Sequence, residues 1–151
     1  MPYDANDQDN AMPIGPGGLL PGLNSAGQID NIAYKRNVVA KTSAYTVKVT
    51  ESGTIFTTQG ATAAVTFTLP ATANCDGCEW TFYNCEDVDM VVAAGTVDTM
   101  TAINDVAADS VAFSTTSLKI GGGVWVFGDG TNVHAMILRG QAIQTVTVAT
   151  G

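Results

Sequence analysis

Residues 41–70, KTSAYTVKVTESGTIFTTQGATAAVTFTLP, decide the fold class of this chain. Apolar and polar residues alternate over 45–50 and again over 65–69, which is the period-two pattern of half-buried strands. β-branched and aromatic residues at 54–58 predict a third strand between them. Turn residues separate the three segments, and Pro70 ends the last one. The stretch therefore predicts three short strands in one sheet, whose apolar face packs against a second sheet.

Similar segments continue downstream, separated by clusters of turn residues. Trp80 and Phe82 are expected to face the core, and Asp129-Gly130 between two apolar segments is a strong hairpin signal. The further strands are predicted at 79–84, 90–93, 111–113, 117–120, 124–127 and 133–138, with 99–103 as a shorter candidate. Many short strands at regular spacing, with no helical period, predict an all-β chain. We expect a single antiparallel β-sandwich or jelly-roll-like domain with an extended N-terminal arm.

The composition divides the chain into an arm at 1–40, a β-domain at 41–140 and a tail or edge strand at 141–151. Four of the five prolines lie in the first segment, and this density of proline and glycine leaves no helix or strand period. Large apolar residues are too sparse there to offset the entropy of ordering the backbone. We expect the arm to be ordered by its own domain, by a neighbouring subunit or by a larger assembly.

Charge and hydropathy exclude two kinds of partner. The net charge is −8, and the six Lys and Arg residues are scattered, so the clustered cations that bind nucleic acid are missing. No apolar run approaches the roughly 18 residues of a membrane span. Met1 is followed by neither a basic start nor an apolar segment, so we expect synthesis in a cytoplasm. No nucleic acid and no membrane is predicted as a partner.

The three cysteines form the one cluster that suggests metal or redox chemistry. Cys75 and Cys78 have the CxxC spacing of a zinc half-site, with Cys85 nearby and His134 as the only histidine. A structural zinc site normally needs a second paired half-site, which this sequence lacks. A Cys75–Cys78 or Cys78–Cys85 disulfide formed after release from the cell is the second alternative. Reduced thiols near a loop are the third and the favoured one.

No catalytic constellation is recognisable, and no cofactor or metal is predicted. His134 lies in a predicted strand, with Met136 on the same face and Val133 and Ala135 on the other, which is typical of a structural or surface histidine. Asp4, Asp7, Asp9 and Asp129 lack the glutamate of a calcium loop and are expected to be solvated turn residues. Glu79 with Glu86 or Asp87 stays open as an acid pair, because a sequence does not give their separation.

Six segments within residues 42–138 form one recognisable pattern: SAYTV at 43–47, SGTIFTT at 52–58, GAT at 60–62, VTFTLPA at 65–71, EWTF at 79–82 and GVWV at 123–126. With this pattern, residues 42–138 resemble structural proteins of tailed bacteriophages. This group includes head decoration (cement) proteins and tail-fibre or spike modules, which are usually β-rich homotrimers. The short chain and its long non-repetitive arm favour the head decoration family.

The resemblance implies a non-enzymatic virion protein that binds the outer capsid surface as a homotrimer and stabilises neighbouring capsid subunits. Its partners would then be other copies of itself and the major capsid protein. The arm would clamp the capsid through its large side chains, and these expected contacts are Tyr3, Met12, Ile14, Leu19, Leu20, Leu23, Ile29, Ile32 and Tyr34. The alternative is a fibre or spike module that binds a host receptor or glycan near residues 129–132. A carbohydrate-active enzyme using Glu79 and Glu86 ranks third.

Overall fold

The computed structural model describes residues 36–95, 98–138 and 146–149 of the 151-residue chain. These residues all belong to one compact unit that begins at Arg36. Strands dominate it, which confirms the all-β prediction, and the helical segments described are two short 3-10 turns, Val49–Glu51 and Thr72–Asn74. No helix in this described part is long and apolar enough to cross a membrane.

Twelve strands are described, and they form two sheets. In chain order they are β1 (Val38–Ala40), β2 (Tyr45–Thr46), β3 (Ile55–Thr57), β4 (Val65–Thr68), β5 (Glu79–Tyr83), β6 (Met90–Ala93), β7 (Met100–Ala102), β8 (Asp105–Ala108), β9 (Ser110–Phe113), β10 (Gly123–Gly128), β11 (Val133–Leu138) and β12 (Thr147–Ala149). The seven-stranded sheet has the order β1-β3-β5-β10-β11-β7-β8. The five-stranded sheet has the order β12-β9-β6-β4-β2.

The first six strands alternate between the two sheets. Each of β1 to β4 pairs in parallel with the strand two places later, which gives β1-β3-β5 in one sheet and β2-β4-β6 in the other. Antiparallel pairs involve later strands, as in β5-β10, β10-β11, β6-β9 and β9-β12. The prediction of an antiparallel domain was therefore wrong, because both sheets are mixed. The strands of residues 41–70 also do not share one sheet, since a period-two pattern fixes the buried face of a strand but not its neighbours.

The two sheets share one buried core. Phe56 and Phe82 from the seven-stranded sheet stack at 5.6 Å between ring centroids, and Phe67 from the five-stranded sheet lies 5.7 Å and 4.9 Å from them. All three rings are fully buried, and Trp80 and Phe82 face the core as predicted. Tilted and stacked rings at these distances stabilise the core beyond the area they bury, and this cluster joins the two sheets.

Residues 45–49 do not form the continuous strand that their alternation predicts. The strand β2 ends at Thr46, and Val49 begins a 3-10 turn with its side chain 38% exposed. Glu51 explains the turn: its carboxylate accepts the Lys48 backbone N–H at 2.9 Å and the Tyr45 hydroxyl at 2.6 Å. These local bonds compete with the sheet ladder and end the strand.

The predicted and observed strands also differ at two places in the second half of the chain. Residues 117–120, predicted as a strand, are mostly turn and irregular chain, and Ser117 has a φ of 65°, which no strand residue adopts. β8 was not predicted; Ile103 and Asn104, with φ of 42° and 62°, reverse the chain so that β7 and β8 pair antiparallel. Turns of this kind need positive φ angles, and in a sequence mainly Gly and Asn indicate where such angles occur.

The C-terminal part forms an edge strand, one of the two alternatives left open by its sequence. β12 pairs antiparallel with β9, with Val148 opposite Val111, and Val146 and Val148 pack half-buried against the core. Ile143, another apolar residue of the segment 141–151, lies outside the described residues.

Candidate binding surface

The alternation of β5, β10 and β11 places two kinds of apolar residue on opposite sides of the seven-stranded sheet. Trp80, Phe82, Val124, Val126 and Val133 are buried on the inner side. The residues between them lie on the other side, which we call the outer face. Its members are Val38, Ile55, Glu79, Thr81, Tyr83, Trp125, Phe127, His134, Met136 and Leu138.

A row of stacked rings crosses the outer face. The Trp125 and Phe127 rings lie 4.7 Å apart at 29°, and the His134 ring lies 4.9 Å from Phe127. Trp125 and Phe127 are two residues apart on β10, while Phe127 and His134 are directly opposite each other on β10 and β11. Such pairs hold each other in place beyond the area they bury. The row is therefore a preformed surface with fixed side chains.

Glu79 holds the Trp125 end of this row, and its charge is neutralised by Arg36. One carboxylate oxygen accepts from Arg36 Nη2 at 2.7 Å and the other from Trp125 Nε1 at 3.0 Å. The side chains of Arg36 and Glu79 are each about one-third exposed, at 35% and 34%. Both carboxylate oxygens are thus engaged, and the ion pair carries no net charge.

The other end of the outer face is apolar and exposed. Tyr83, Met136 and Leu138 are 44%, 54% and 42% exposed, and Val38 at the edge of the sheet is 61% exposed. Gly123 lies opposite both Tyr83 and Leu138, so only backbone separates these two side chains. Five strands at about 4.8 Å spacing and five residues at about 3.4 Å rise give a face of roughly 400 Å². Contiguous exposed apolar side chains on the surface of a monomer are often functional.

The hairpin loop after β10 is organised by Asp129, as the Asp-Gly signal predicts. Its Oδ1 accepts the backbone N–H groups of Thr131 and Asn132 at 2.8 Å and 2.5 Å, and Oδ2 lies 3.1 Å from His134 Nε2. The backbone bond from Asn132, the bond to His134 and the bond from Thr131 hold the pKa of Asp129 well below its usual range. Asp129 is a turn residue that also orients His134, and His134 and Met136 share a face as predicted.

The cysteines are placed as structural thiols. Cys75 and Cys78 are buried, and their sulfur atoms point at backbone carbonyls, with Cys75 Sγ 3.4 Å from the oxygen of Ala71 and Cys78 Sγ 3.9 Å from that of Asn74. Burial, more than the nearby Cys78 and Asp98, raises the pKa of the Cys75 thiol to about 11. Cys75, Cys78 and Cys85 are all free. Within the described ranges, no group of three His, Cys, Asp or Glu residues could hold a metal ion.

Glu79 and Glu86 are not brought together. Glu79 begins β5, and Glu86 lies beyond its end at Tyr83, where its carboxylate accepts the Gly60 backbone N–H at 2.8 Å. The four strand steps from Glu79 to Tyr83 alone span about 13 Å, whereas glycosidase carboxylates lie roughly 5–9.5 Å apart. Each carboxylate has a structural partner instead.

The nine arm residues predicted to contact the capsid lie outside the described residues, and that prediction stays untested. They are Tyr3, Met12, Ile14, Leu19, Leu20, Leu23, Ile29, Ile32 and Tyr34. The outer face was missed at the sequence level, although a signal for it exists. In GVWVFG at 123–128 and VHAMIL at 133–138, both alternating sets of residues contain large apolar or aromatic side chains, so burying one set leaves the other exposed.

Comparison with known proteins assigns no family, since neither a family model nor a curated protein sequence matches this chain.

Proposed function

We propose that this protein is a non-enzymatic structural protein of a tailed-bacteriophage virion, a decoration protein that binds the outer capsid surface as a trimer. The resemblance over residues 42–138 motivates the proposal. The observation that carries it is the outer face, because a surface with stacked rings, exposed apolar side chains and a compensated charge suits protein contact. The carboxylates of Glu79 and Glu86 and the thiol of Cys75, the candidates for catalytic or metal chemistry, are held in structural bonds.

The proposal includes the finer architecture. The ring cluster of Phe56, Phe67 and Phe82 supports a β-sandwich, since inner faces of two sheets that share one core are the defining contact of such folds. The extended arm remains the predicted segment 1–40, and its residues 1–35 lie outside the described part of the chain. The described unit starts at Arg36, whose guanidinium binds Glu79 on the outer face and so fixes Arg36 to the β-domain.

The mechanism is geometric. A single small domain has too little contact area for tight binding, whereas linked copies convert each further contact into an intramolecular one at high effective concentration. The arm adds apolar side chains and main-chain pairing to an edge of a capsid sheet. Neighbouring capsid subunits are stabilised because one decoration trimer contacts several of them at once.

The test is the presence of the chain on virus heads. Particles are purified on a density gradient after a tagged gene replaces the original one, and copies per major capsid subunit are counted by quantitative mass spectrometry. A chain lacking residues 1–35 retains the Arg36–Glu79 pair and is expected to keep the far-ultraviolet spectrum of a β protein while disappearing from heads. Full occupancy by the shortened chain would refute the clamp, and absence of the intact chain from all particles would refute the virion role.

A tail-fibre or spike module that binds a host receptor or glycan is the second candidate. The observation that favours it is the cluster of Phe127, His134 and Asp129 beside the loop at 129–132. The stacking argues against a sugar, because Phe127 has Trp125 and His134 against its ring and little flat ring surface remains for a pyranose. Competition by the purified protein against adsorption of virus to host cells, together with its presence on tails, would favour this candidate.

A further inference from the structure

We propose that Cys75 and Cys78 form a redox-sensitive pair, which closes into an intrachain disulfide when the protein meets a small-molecule disulfide such as oxidised glutathione. Both thiols are reduced in the structure. Neither cysteine has a part in the proposed virion role, so this pair would be oxidised in any setting that supplies such a disulfide.

The backbone brings the two cysteines within disulfide range. Residues 75–78 form a β-turn, in which the Cys78 N–H donates to the Cys75 carbonyl at 3.0 Å and Gly77 has the φ of 68° that suits the third position of a type II turn. The end residues of a β-turn have Cα atoms less than about 7 Å apart. A disulfide joins Cα atoms roughly 4.4–6.8 Å apart, so this turn needs little backbone change to accept the bond.

The positions of the side chains also favour a bond between them. Cys78 Sγ lies 3.9 Å from the carbonyl oxygen of Asn74 and 3.8 Å from that of Asp76, the residues on either side of Cys75. The sulfur of Cys78 is therefore next to the backbone of Cys75, and both side chains belong to the buried core. Burial and, next in size, the nearby Cys78 raise the pKa of the Cys75 thiol, as expected of neighbouring thiols.

The reaction is thiol–disulfide exchange in two steps. The sulfur of Cys78, which is 8% exposed, attacks one sulfur of the small-molecule disulfide and releases one molecule of the reagent thiol. Cys75, which is fully buried, then attacks the sulfur of Cys78 and releases the second molecule. Two protein S–H bonds and one reagent S–S bond are replaced by one protein S–S bond and two reagent S–H bonds. The protein is oxidised, and the reagent is reduced.

A disulfide at this place would lock the junction between the turn and the end of β10. The Gly77 N–H donates to the Gly128 carbonyl at 3.1 Å, and the Gly128 N–H donates to the Cys78 carbonyl at 3.0 Å. Gly128 has no room for a side chain, because a Cβ there would clash with the Cys75 carbonyl. The β10-β11 hairpin with Asp129 begins at this residue, so the state of the cysteine pair controls how firmly the base of the hairpin is held.

The test exposes the folded full chain to an excess of oxidised glutathione, alkylates the remaining thiols in denaturant and analyses a chymotryptic digest by mass spectrometry. Cleavage after Phe67 and Trp80 gives the peptide 68–80, which contains Cys75 and Cys78 but not Cys85. This peptide is expected to be free of alkylation and two hydrogens lighter than its reduced form. Treatment with dithiothreitol should restore two thiols that can be alkylated.

Closure of the disulfide should also stabilise the chain. A bond across so short a loop is expected to raise the melting temperature by about 5 °C, and reduction should remove this gain. Hydrogen exchange at the Gly77 and Gly128 amides should slow in the oxidised chain. Cys85→Ser retains the pair and is the matched control, which should shift as wild type does. Cys78→Ala should show no shift in melting temperature between oxidised and reduced samples.

Two alkylated cysteines in the peptide 68–80 after exposure to oxidised glutathione would overturn the proposal. A disulfide that joins Cys85 or two chains, or one that lowers the melting temperature, would do the same. The mass measurement uses the wild-type chain, so it decides the matter even where Cys78→Ala does not fold. None of these measurements involves virus heads, so failure of the cysteine pair and failure of the decoration role are distinguishable.

Discussion

The inner and outer sides of β5 and β10 both carry apolar or aromatic side chains, but only those on the inner side are fully buried. Phe82 on the inner side is fully buried among Phe56 and Phe67, whereas its neighbour Tyr83 on the outer side is 44% exposed. Val126 and Trp125 differ in the same way on β10. Residues one position apart therefore divide between holding the sheets together and forming a surface.

This difference shows where the stability and the proposed binding of the domain are located. Inner residues lose contacts on all sides when truncated, so they control the free energy of unfolding. Outer residues are bonded mainly to one another, through the Trp125–Phe127 stack and the Glu79 bonds. We expect substitutions on the inner side to change unfolding and those on the outer side to change association.

The largest expected effect comes from Phe82→Ala. Removal of a ring that contacts two other buried rings should lower the free energy of unfolding by about 3–5 kcal/mol. Tyr83→Ala, the adjacent change on the outer side, should cost less than about 1 kcal/mol. Urea unfolding of both variants, with unchanged slope, measures the two values. Similar losses of unfolding free energy for Phe82→Ala and Tyr83→Ala would contradict the distinction between the inner and outer sides.

Asn84→Ala is expected to give the next largest loss, because its side chain links loops beyond the inner core. Asn84 is fully buried; its Oδ1 accepts the Thr58 hydroxyl at 2.6 Å, and its Nδ2 donates to the Val88 carbonyl at 2.8 Å. The variant removes the acceptor of the Thr58 hydroxyl proton and the side-chain donor to the Val88 carbonyl, and should cost about 1–3 kcal/mol. Asn37→Ala, at an exposed position, is the control. Equal stability of the two variants by urea unfolding would contradict this role.

A smaller effect is expected for Glu79→Gln on the outer face. The Arg36–Glu79 pair is about one-third exposed, and ion pairs of this kind contribute roughly 0–1 kcal/mol. The amide keeps an acceptor for Trp125 Nε1 but leaves Arg36 with an uncompensated charge. Thermal unfolding should therefore shift only slightly, while association measured by light scattering weakens. A loss as large as that of Phe82→Ala would place Glu79 with the inner residues.

The smallest effect concerns pH. The pKa of Asp129 is lowered from its ordinary 3.8 by the N–H groups of its turn and by His134, so its ionised form stabilises the fold above that pH. This contribution is lost as the pH falls through the folded-state pKa. Asp129→Asn should lower the melting temperature at pH 7, and its difference from wild type should shrink below pH 3.8. A difference that stays constant from neutral to acidic pH would contradict the assignment.

Residue patterns predicted the local structure of this domain well. The period-two alternation of β4 and β5 identified the buried Phe67, Trp80 and Phe82, and Asp129-Gly130 identified the β10-β11 hairpin. These features depend on neighbouring residues, which a sequence displays directly. Pairing between strands depends on residues far apart, so the parallel winding of β1 to β6 was not predictable from the same patterns.

The candidate surface was missed for a related reason. Trp125 and Met136 look like core residues when each strand is considered alone. They lie outside the core because β10 and β11 belong to a sheet whose other side packs against the core. The predicted contact residues were all placed in the arm, and Cys75, Cys78 and Glu79 were considered only as candidates for metal, redox or acid chemistry. The structure instead engages these groups with carbonyl oxygens, Arg36 and Trp125.

Quenching of Trp125 fluorescence tests most directly whether the outer face is covered by another protein subunit. Trp80→Phe leaves Trp125 as the only tryptophan, and it removes a buried Nε1 that has no hydrogen-bond partner in the described structure, which limits the cost of the change. In that background, acrylamide should quench Trp125 weakly, and Met136→Glu, which places a charge on the outer face, should increase quenching severalfold while the β spectrum is retained. Equal quenching with and without Met136→Glu would show that no subunit covers the outer face and would contradict the account.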